Sequence, residues 1–308
     1  MNKLIVIAGP TAVGKSDVAI KLAKKIDGEI ISADSMQVYR YMDIGSAKVT
    51  KGEMQGIPHH LIDVLDPHDA FNAAVFTKMA DECIKDINAR GKIPILTGGT
   101  GFYIRALVYG NDFSESNGED TDLYEELEAK AREFGPDFLF DKLREVDPAS
   151  CEIIHKNNVK RVVRALMFYK ETGKPISLHN KELHENPPAY DFDFFVLTDD
   201  RSKLYERIDR RVDKMIDMGL VEEVMRLKDM GLTKNDNSMQ GIGYKEILMY
   251  LDGEITLPEA VEMIKTGSRH YAKRQITWFK REKDAVWIDR SEYRTDEDIL
   301  NFILKTIG

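Results

Sequence analysis

Apolar and polar positions follow two different rhythms along this chain. In the first hundred residues, short runs rich in β-branched residues recur at Leu4–Ala8, Glu29–Ala33, Leu61–Val64 and Ile93–Thr97, and these predict strands. Between them, Lys15–Ile26 and Ala74–Arg90 repeat apolar residues every three or four positions, which predicts helices. Strand, helix, strand in this order implies a parallel sheet covered on both faces. Two later runs, Phe194–Thr198 and Ala285–Ile288, are strand-like and extend the same sheet.

The middle of the chain changes rhythm. Residues 113 to 190 show no strand pattern. They open on FSESNGEDTD and close on HENPPAYDFD, whose paired prolines argue for a boundary. Helical spacing occupies the interior at Leu123–Phe134, Phe138–Val146, Pro148–Ile154 and Val159–Thr172. Further helices are expected at Lys203–Met218, Val221–Met230, Gly243–Leu251 and Leu257–Lys280. The expected class is α/β: a parallel sheet core with helices on both faces, split as 1–112 and 191–308 around an all-helical insertion at 113–190.

Composition narrows the setting. At 308 residues, 43% hydrophobic and 31% charged, the chain is globular in make-up. No apolar run approaches the roughly 20 residues of a membrane span. Met1-Asn2-Lys3 leads straight into a strand without the apolar stretch of a signal peptide, so a cytoplasmic protein without a membrane association is expected. Cys83 and Cys151 are too few for a disulfide framework and lack metal-ligand spacing. A formal charge of −9 counts mildly against a nucleic-acid partner, but phosphate contacts depend on local patches. The distribution is uneven: Asp112–Glu128 holds eight acidic residues and no basic one, while Arg269–Lys283 holds six Lys/Arg against one Glu.

The strongest local signal is GPTAVGKS, residues 9–16, placed between a predicted strand and a predicted helix. It fits G-x-x-x-x-G-K-[ST], the P-loop. Gly9, Pro10, Thr11, Ala12, Val13 and Gly14 form the turn, whose glycines let successive N–H groups face anionic oxygens. Lys15 reaches the outer phosphate, and the Ser16 hydroxyl joins the shell of a Mg²⁺ ion. Such a loop is usually a nucleotide site, so a small-molecule kinase using ATP is the first hypothesis. Its other parts are incomplete. The strand Ile93–Thr97 ends in Gly98-Gly99-Thr100-Gly101 rather than a metal-binding carboxylate, and no arginine-rich lid is evident. Asp34, after the strand Glu29–Ala33, does supply a carboxylate at the ligand-binding edge of the sheet. His59-His60 would point to opposite faces of a strand and cannot chelate one ion together.

Further stretches qualify the kinase hypothesis: DSMQVYRYMDIGSAK (34–48), GIPHHLIDV (56–64), GGTGFYIRAL (98–107), DPASCEIIHKNNVKRVVRAL (147–166), NSMQGIGYKE (237–246) and RHYAKRQITWFKR (269–281). Together with the P-loop, and in this order, they resemble the tRNA dimethylallyltransferase family across nearly the whole chain. The resemblance implies transfer of a five-carbon group from dimethylallyl diphosphate to N6 of an adenosine just 3′ of a tRNA anticodon. The loop would then hold a departing diphosphate, with Mg²⁺ and Lys15 neutralising its charge.

The resemblance also implies roles. Asp34 would orient the N6 amine and accept its proton; the alternative is a cap on the following segment or a water-mediated Mg²⁺ contact. Ser35, Met36 and Gln37 match positions at the target base. Thr100 would contact substrate, or satisfy its own turn. Lys48 is either an added active-site charge or an exposed lysine. The anticodon stem-loop would be gripped by Lys160, Arg161 and Arg164, of which Arg161 and Arg164 share a helix face. Lys156 adds a fourth cation to this group. Gln240, Gly243 and Lys245, and the segment Lys273, Arg274, Gln275, Trp278 and Arg281, match family regions that meet tRNA or buttress its channel, and Arg207 and Arg211 would meet diphosphate or nucleotide. Trp278 is equally expected in a core. A monomer is expected. Ser46 and Val49 depart from the family's GTAKP, and Leu123-Tyr124-Glu125 lacks a family arginine. The acidic stretch 112–128 is expected to face away from RNA. A third possibility is an RNA-binding protein with a nucleotide switch.

Overall fold

A computed structural model describes residues 3–110, 121–185 and 187–308. Among them, the strands β1 (Lys3–Ala8), β2 (Gly28–Ala33), β3 (His59–His60), β4 (Ile93–Gly98), β5 (Asp191–Thr198) and β6 (Ala285–Asp289) form one sheet. Its order is β3-β2-β4-β1-β5-β6, with every neighbouring pair parallel. β1 lies inside the sheet, and Leu4, Ile5, Val6, Ile7 and Ala8 are all fully buried. Burial on both faces explains a continuous apolar run where a half-exposed strand would alternate.

Helices surround the sheet. α1 (Lys15–Ile26), α10 (Arg201–Asp217) and α14 (Asp296–Thr306) bury Val18, Leu22, Leu204, Ile208, Leu300 and Ile303 in one cluster with Ile5, Ile7 and Ile95. α3 (Ala73–Ala89) lays Phe76, Ala80 and Ile84 against β2 and β4. α2 (Lys51–Met54), α4 (Gly101–Val108), α11 (Leu220–Asp229), α12 (Tyr244–Leu251) and α13 (Leu257–Phe279) complete this unit, which comprises residues 1–108 and 190–308.

A second unit, residues 109–189, contains α5 (Thr121–Phe134), α6 (Pro136–Val146), α7 (Pro148–Ile153), α8 (Val159–Thr172) and α9 (Ile176–Glu185). Leu139, Leu143, Val162, Val163 and Met167 form its core. Buried Asp147 ties three pieces together, accepting hydrogen bonds from Ser150 N and Oγ and from Ser177 N and Oγ. Residues 112–120 of the acidic stretch, like Met1-Asn2, lie outside the described residues.

Sequence and structure differ at identifiable places. The strand expected at Leu61–Val64 falls instead at His59–His60, which pairs with Ile30 and Ile31. Leu61 and Asp63 have φ of 60° and 57°, left-handed values that end a strand. Leu61 is apolar because it is a buried loop anchor. His59 and His60 have separate partners, Ile57 O and the Glu29 carboxylate. The short helices α2, α4 and α9, and the terminal α14, have no counterpart among the expected elements. No helix among the described residues is long and apolar enough to cross a membrane.

Candidate active site

Sheet register assembles the site. Ala8 pairs with Gly98, and Gly98 pairs with Ala33, so the three strands end in one row. The next residues, Gly9, Gly99 and Asp34, therefore leave the sheet side by side at its carboxyl edge, where open α/β sheets bind ligands.

From β1 the chain turns through Gly9–Gly14 into α1. A side chain at Gly9 would put its Cβ 2.4 Å from the Leu197 carbonyl oxygen, so only glycine fits. Gly14, with φ 90°, precedes the helix, and no side chain caps α1's terminal amides among the described residues. Those amides and the helix dipole face the loop, which is an anion-binding arrangement. Lys15 curls back and donates to the Pro10 carbonyl at 2.7 Å. Burial lowers its pKa to about 7, opposed by the nearby Asp34 charge and assisted by Arg211. α10 clasps the loop from outside. Arg207 donates to the Ala12 carbonyl at 3.0 Å while paired with Asp199, and Arg211 donates to the Thr11 hydroxyl at 3.4 Å. Burial lowers the Arg211 pKa, and Asp34 opposes that shift.

Asp34 thus lies within the electrostatic reach of two cations at the phosphate loop. One of its oxygens also accepts from Met36 N at 2.9 Å and Gln37 N at 3.3 Å, an Asx turn that fixes the carboxylate. Proton acceptance and capping, posed as alternatives by the sequence, are compatible here because a carboxylate has two oxygens. Tyr271 and Tyr103 face the same carboxylate. Burial and the Asp34 charge raise the Tyr271 phenol to about 12, and burial with the Tyr39 and Asp34 groups raises Tyr103 to about 12. Thr100 follows β4, and its backbone N–H donates to Ala33 O at 3.3 Å.

α13 has two unlike faces. Tyr271, Gln275 and Trp278, spaced four and three apart, turn toward the glycine turn after β4. Lys273 and Arg274 are exposed, and the guanidinium groups of Arg274 and, just past the helix, Arg281 lie over the Tyr271 and Trp278 rings at 5.6 and 5.9 Å. A Cβ at Gly101 would lie 2.1 Å from Trp278 Cδ1, and Phe102 meets the indole edge-on. Trp278, half-buried, packs against this turn rather than in the core. Tyr271 carries no sequence signal by itself; its spacing from Gln275 and Trp278 was the available clue.

The segment after Asp34 is held internally. The Gln37 amide accepts from Ser32 Oγ at 3.3 Å and donates to Ala47 O at 3.4 Å. Ser35 and Met36 are half-buried. Lys48 is neither an active-site charge nor an exposed lysine: its side chain is 5% exposed and ion-paired with Asp43 and Asp63. Glu223 on α11, only 2% exposed, accepts from Asp43 N, Ile44 N and Gly45 N at 2.9, 2.8 and 3.0 Å, and from the Tyr244 hydroxyl at 2.9 Å. The second of two adjacent glutamates in the first turn of an ordinary helix pattern gave no hint of this. Gly243 N donates to Glu246, Lys245 is exposed beside it, and exposed Gln240 bonds to Lys234 O.

In the second unit, α8 buries Val162, Val163 and Met167 and exposes Lys160, Arg161 and Arg164, which have no ion-pair partner among the described residues. Lys156 is paired with Asp137 and does not add a free charge to this group.

The carboxyl edge of this parallel sheet joins an uncapped helix terminus, a lysine, two arginines and a carboxylate, an α/β arrangement suited to an anionic ligand. Residues 37–282 match the model of the IPP transferase family. The chain is 51% identical over 307 residues to a tRNA dimethylallyltransferase of Lachnoclostridium phytofermentans, spanning 100% of this chain and 98% of the relative. It resembles the full-length tRNA isopentenylpyrophosphate transferase of Bacillus halodurans (44% identity, TM-score 0.75, 99% and 96% of the two chains). A eukaryotic dimethylallyltransferase acting on tRNA is similar at 33% identity and TM-score 0.80, over 94% of this chain and 74% of that one. The chain belongs to the IPP transferase family. The kinase hypothesis finds no support in these likenesses.

Proposed function

We propose that this protein is a tRNA dimethylallyltransferase, acting as a cytoplasmic monomer on the adenosine 3′ of the anticodon. The observation that carries this mechanism is the sheet register that brings Asp34 and the phosphate loop, with Lys15 and Arg211 on it, to one sheet edge. A proton acceptor and an anion cradle are thereby available to the two halves of a single substitution.

The C1–O bond of dimethylallyl diphosphate breaks, and its electron pair leaves with the diphosphate. Loop amides, Lys15 and Arg211 stabilise that developing charge. The N6 lone pair forms the new C1–N bond, and Asp34 takes the proton that N6 loses. Thr100 lies beside the same carboxylate edge. The adenosine leaves its stack to reach this edge, with Ser35, Met36 and Gln37 bordering it. Exposed Lys160, Arg161, Arg164, Gln240, Lys245, Lys273 and Arg274 supply phosphate and base contacts for the anticodon loop.

The residues fit Mg²⁺. No group of three or more His, Cys, Asp or Glu suited to a protein cage occurs among the described residues. Mg²⁺ typically binds through few protein ligands plus phosphate oxygens and water, and Ser16 in the first turn of α1 can supply one hydroxyl. When bound, the ion would neutralise charge on the departing diphosphate. ATP, a polyphosphate, would compete for the same loop rather than act as a phosphoryl donor.

The test is incubation with carbon-labelled dimethylallyl diphosphate and unmodified tRNA. Label entering the RNA with release of free diphosphate is expected. ATP consumption without RNA labelling, or RNA binding with neither reaction, would contradict the proposal.

A further inference from the structure

Two glycine-containing turns, one after β1 and one after β4, carry the residues assigned above to diphosphate and to substrate. Among the described residues, neither turn donates a side chain to hold the other. The link between them comes from α13. Gln275 accepts a hydrogen bond from Thr11 N–H at 2.9 Å through Oε1 and donates from Nε2 to the Gly99 carbonyl at 3.0 Å. It is 5% exposed. The approach is close enough that a Cβ at Gly99 would lie 2.1 Å from Nε2, so the turn has glycine where the amide passes.

The partners dictate the side-chain type. Thr11 N–H is a donor and Gly99 O is an acceptor, so the bridging group must accept at one atom and donate at the other. A primary amide does both without charge; a carboxylate can only accept, and a lysine can only donate. Tyr271 lies one turn earlier on α13, on the same side of the helix as Gln275.

We propose that Gln275 is a positioning residue that sets the separation between the diphosphate loop and the Thr100 turn, a role that rests on the prenyl-transfer function above. Its amide orients the Thr11 backbone and places the threonine hydroxyl against Arg211. The same amide fixes the carbonyl preceding Thr100. Loss of the bridge loosens the anion cradle and leaves the exposed cations of α13 in place.

Gln275→Met keeps the length and removes both hydrogen bonds. Gln275→Glu keeps the length and restores both bonds only when the carboxyl is protonated. Binding of inorganic diphosphate is measured by calorimetry between pH 5.5 and 8.5, together with tRNA affinity, the KM of each substrate and thermal denaturation. Gln275→Met is expected to weaken diphosphate binding and to raise the KM for dimethylallyl diphosphate about tenfold at every pH, two buried hydrogen bonds' worth, with tRNA affinity within about twofold of wild type. Gln275→Glu should be at least as impaired as Gln275→Met at pH 8.5 and recover past it toward wild type at pH 5.5. Recovery also shows that this variant is folded.

Wild-type affinity in Gln275→Met overturns the inference. So does a Gln275→Glu to wild-type affinity ratio that stays constant across pH, or an equal loss of tRNA and diphosphate affinity accompanied by lowered thermal stability. Those results would leave the functional proposal standing if wild-type protein prenylates tRNA. Wild-type protein that binds no diphosphate overturns both.

Discussion

Two loops in this fold gather backbone amides, and they treat those amides in opposite ways. At residues 43–45, three consecutive N–H groups donate to the buried carboxylate of Glu223, so the protein supplies its own anion. A side chain at Gly45 would collide with the Tyr244 ring at 2.6 Å, so the loop has closed on its contents. At residues 9–16, α1 begins without a side-chain cap, whereas α3, α8, α10, α13 and α14 begin with Asn72, Asn158, Asp200, Thr256 and Thr295 as caps. α6 and α11 also begin without a side-chain cap, after Gly135 and Gly219, so what sets residues 9–16 apart is an uncapped end at the carboxyl edge of the sheet, which we propose is a binding loop. The first loop belongs to folding energetics and the second to binding, and substitutions should separate them.

The largest expected effect is at the carboxylate beside the open cradle. Asp34→Asn keeps the shape and loses proton acceptance, so turnover should fall roughly 10²- to 10⁴-fold with tRNA affinity retained, in steady-state and binding assays. Near-normal turnover would leave Asp34 as a turn cap only. Lys15→Met should weaken diphosphate binding about 10- to 100-fold, the range for a charge-assisted contact, measured by calorimetry. Its melting temperature should stay level or rise, because it removes a desolvated amine. A large loss of stability would put Lys15 with the closed loop instead.

Glu223→Ala should invert this pattern. Three amides and a phenol lose their acceptor, so stability should drop by about 3 kcal/mol, seen in thermal or denaturant unfolding, with diphosphate affinity within threefold of wild type. The open cradle should also depend on pH. Lys15 binds an anion in its protonated form, and its pKa near 7 means the proton is already present below that pH. Above it, binding must capture a proton, so affinity should fall by up to tenfold per pH unit as pH rises through about 7. Taking the ratio to Lys15→Met cancels titration of the diphosphate itself, and a flat ratio would contradict the shift. Smallest is Arg161→Ala on α8. It should weaken tRNA binding modestly and reduce the salt slope by about one contact. An unchanged slope removes that helix face from the RNA.

Strong local patterns made much of this legible in the sequence. The fully buried run Leu4–Ala8 followed by glycine, lysine and serine announced both the central strand and the anion loop, because each requirement is met within a dozen residues. Asp34 and Thr100 were identifiable because both follow strands, and parallel strands bring such residues to one edge. Signals that depend on distant partners were not legible. Leu61 looked like part of a strand because burial makes any anchor apolar, and only its positive φ shows otherwise. Lys48 looked like a free charge until Asp43 and Asp63, apart in sequence, closed on it. Glu223 holds the amides of Asp43, Ile44 and Gly45 from 178 or more positions away, a distance at which spacing carries no information.

Dimethylallyl diphosphate carrying oxygen-18 at the bridge between C1 and the first phosphorus tests the central claim most directly. With the cradle holding a leaving group, all of the heavy oxygen should appear in released diphosphate, and the modified tRNA should gain carbon without phosphorus. Heavy oxygen retained on the five-carbon fragment, or phosphorus transferred to RNA, would show that the loop delivers a phosphoryl group and would contradict the account.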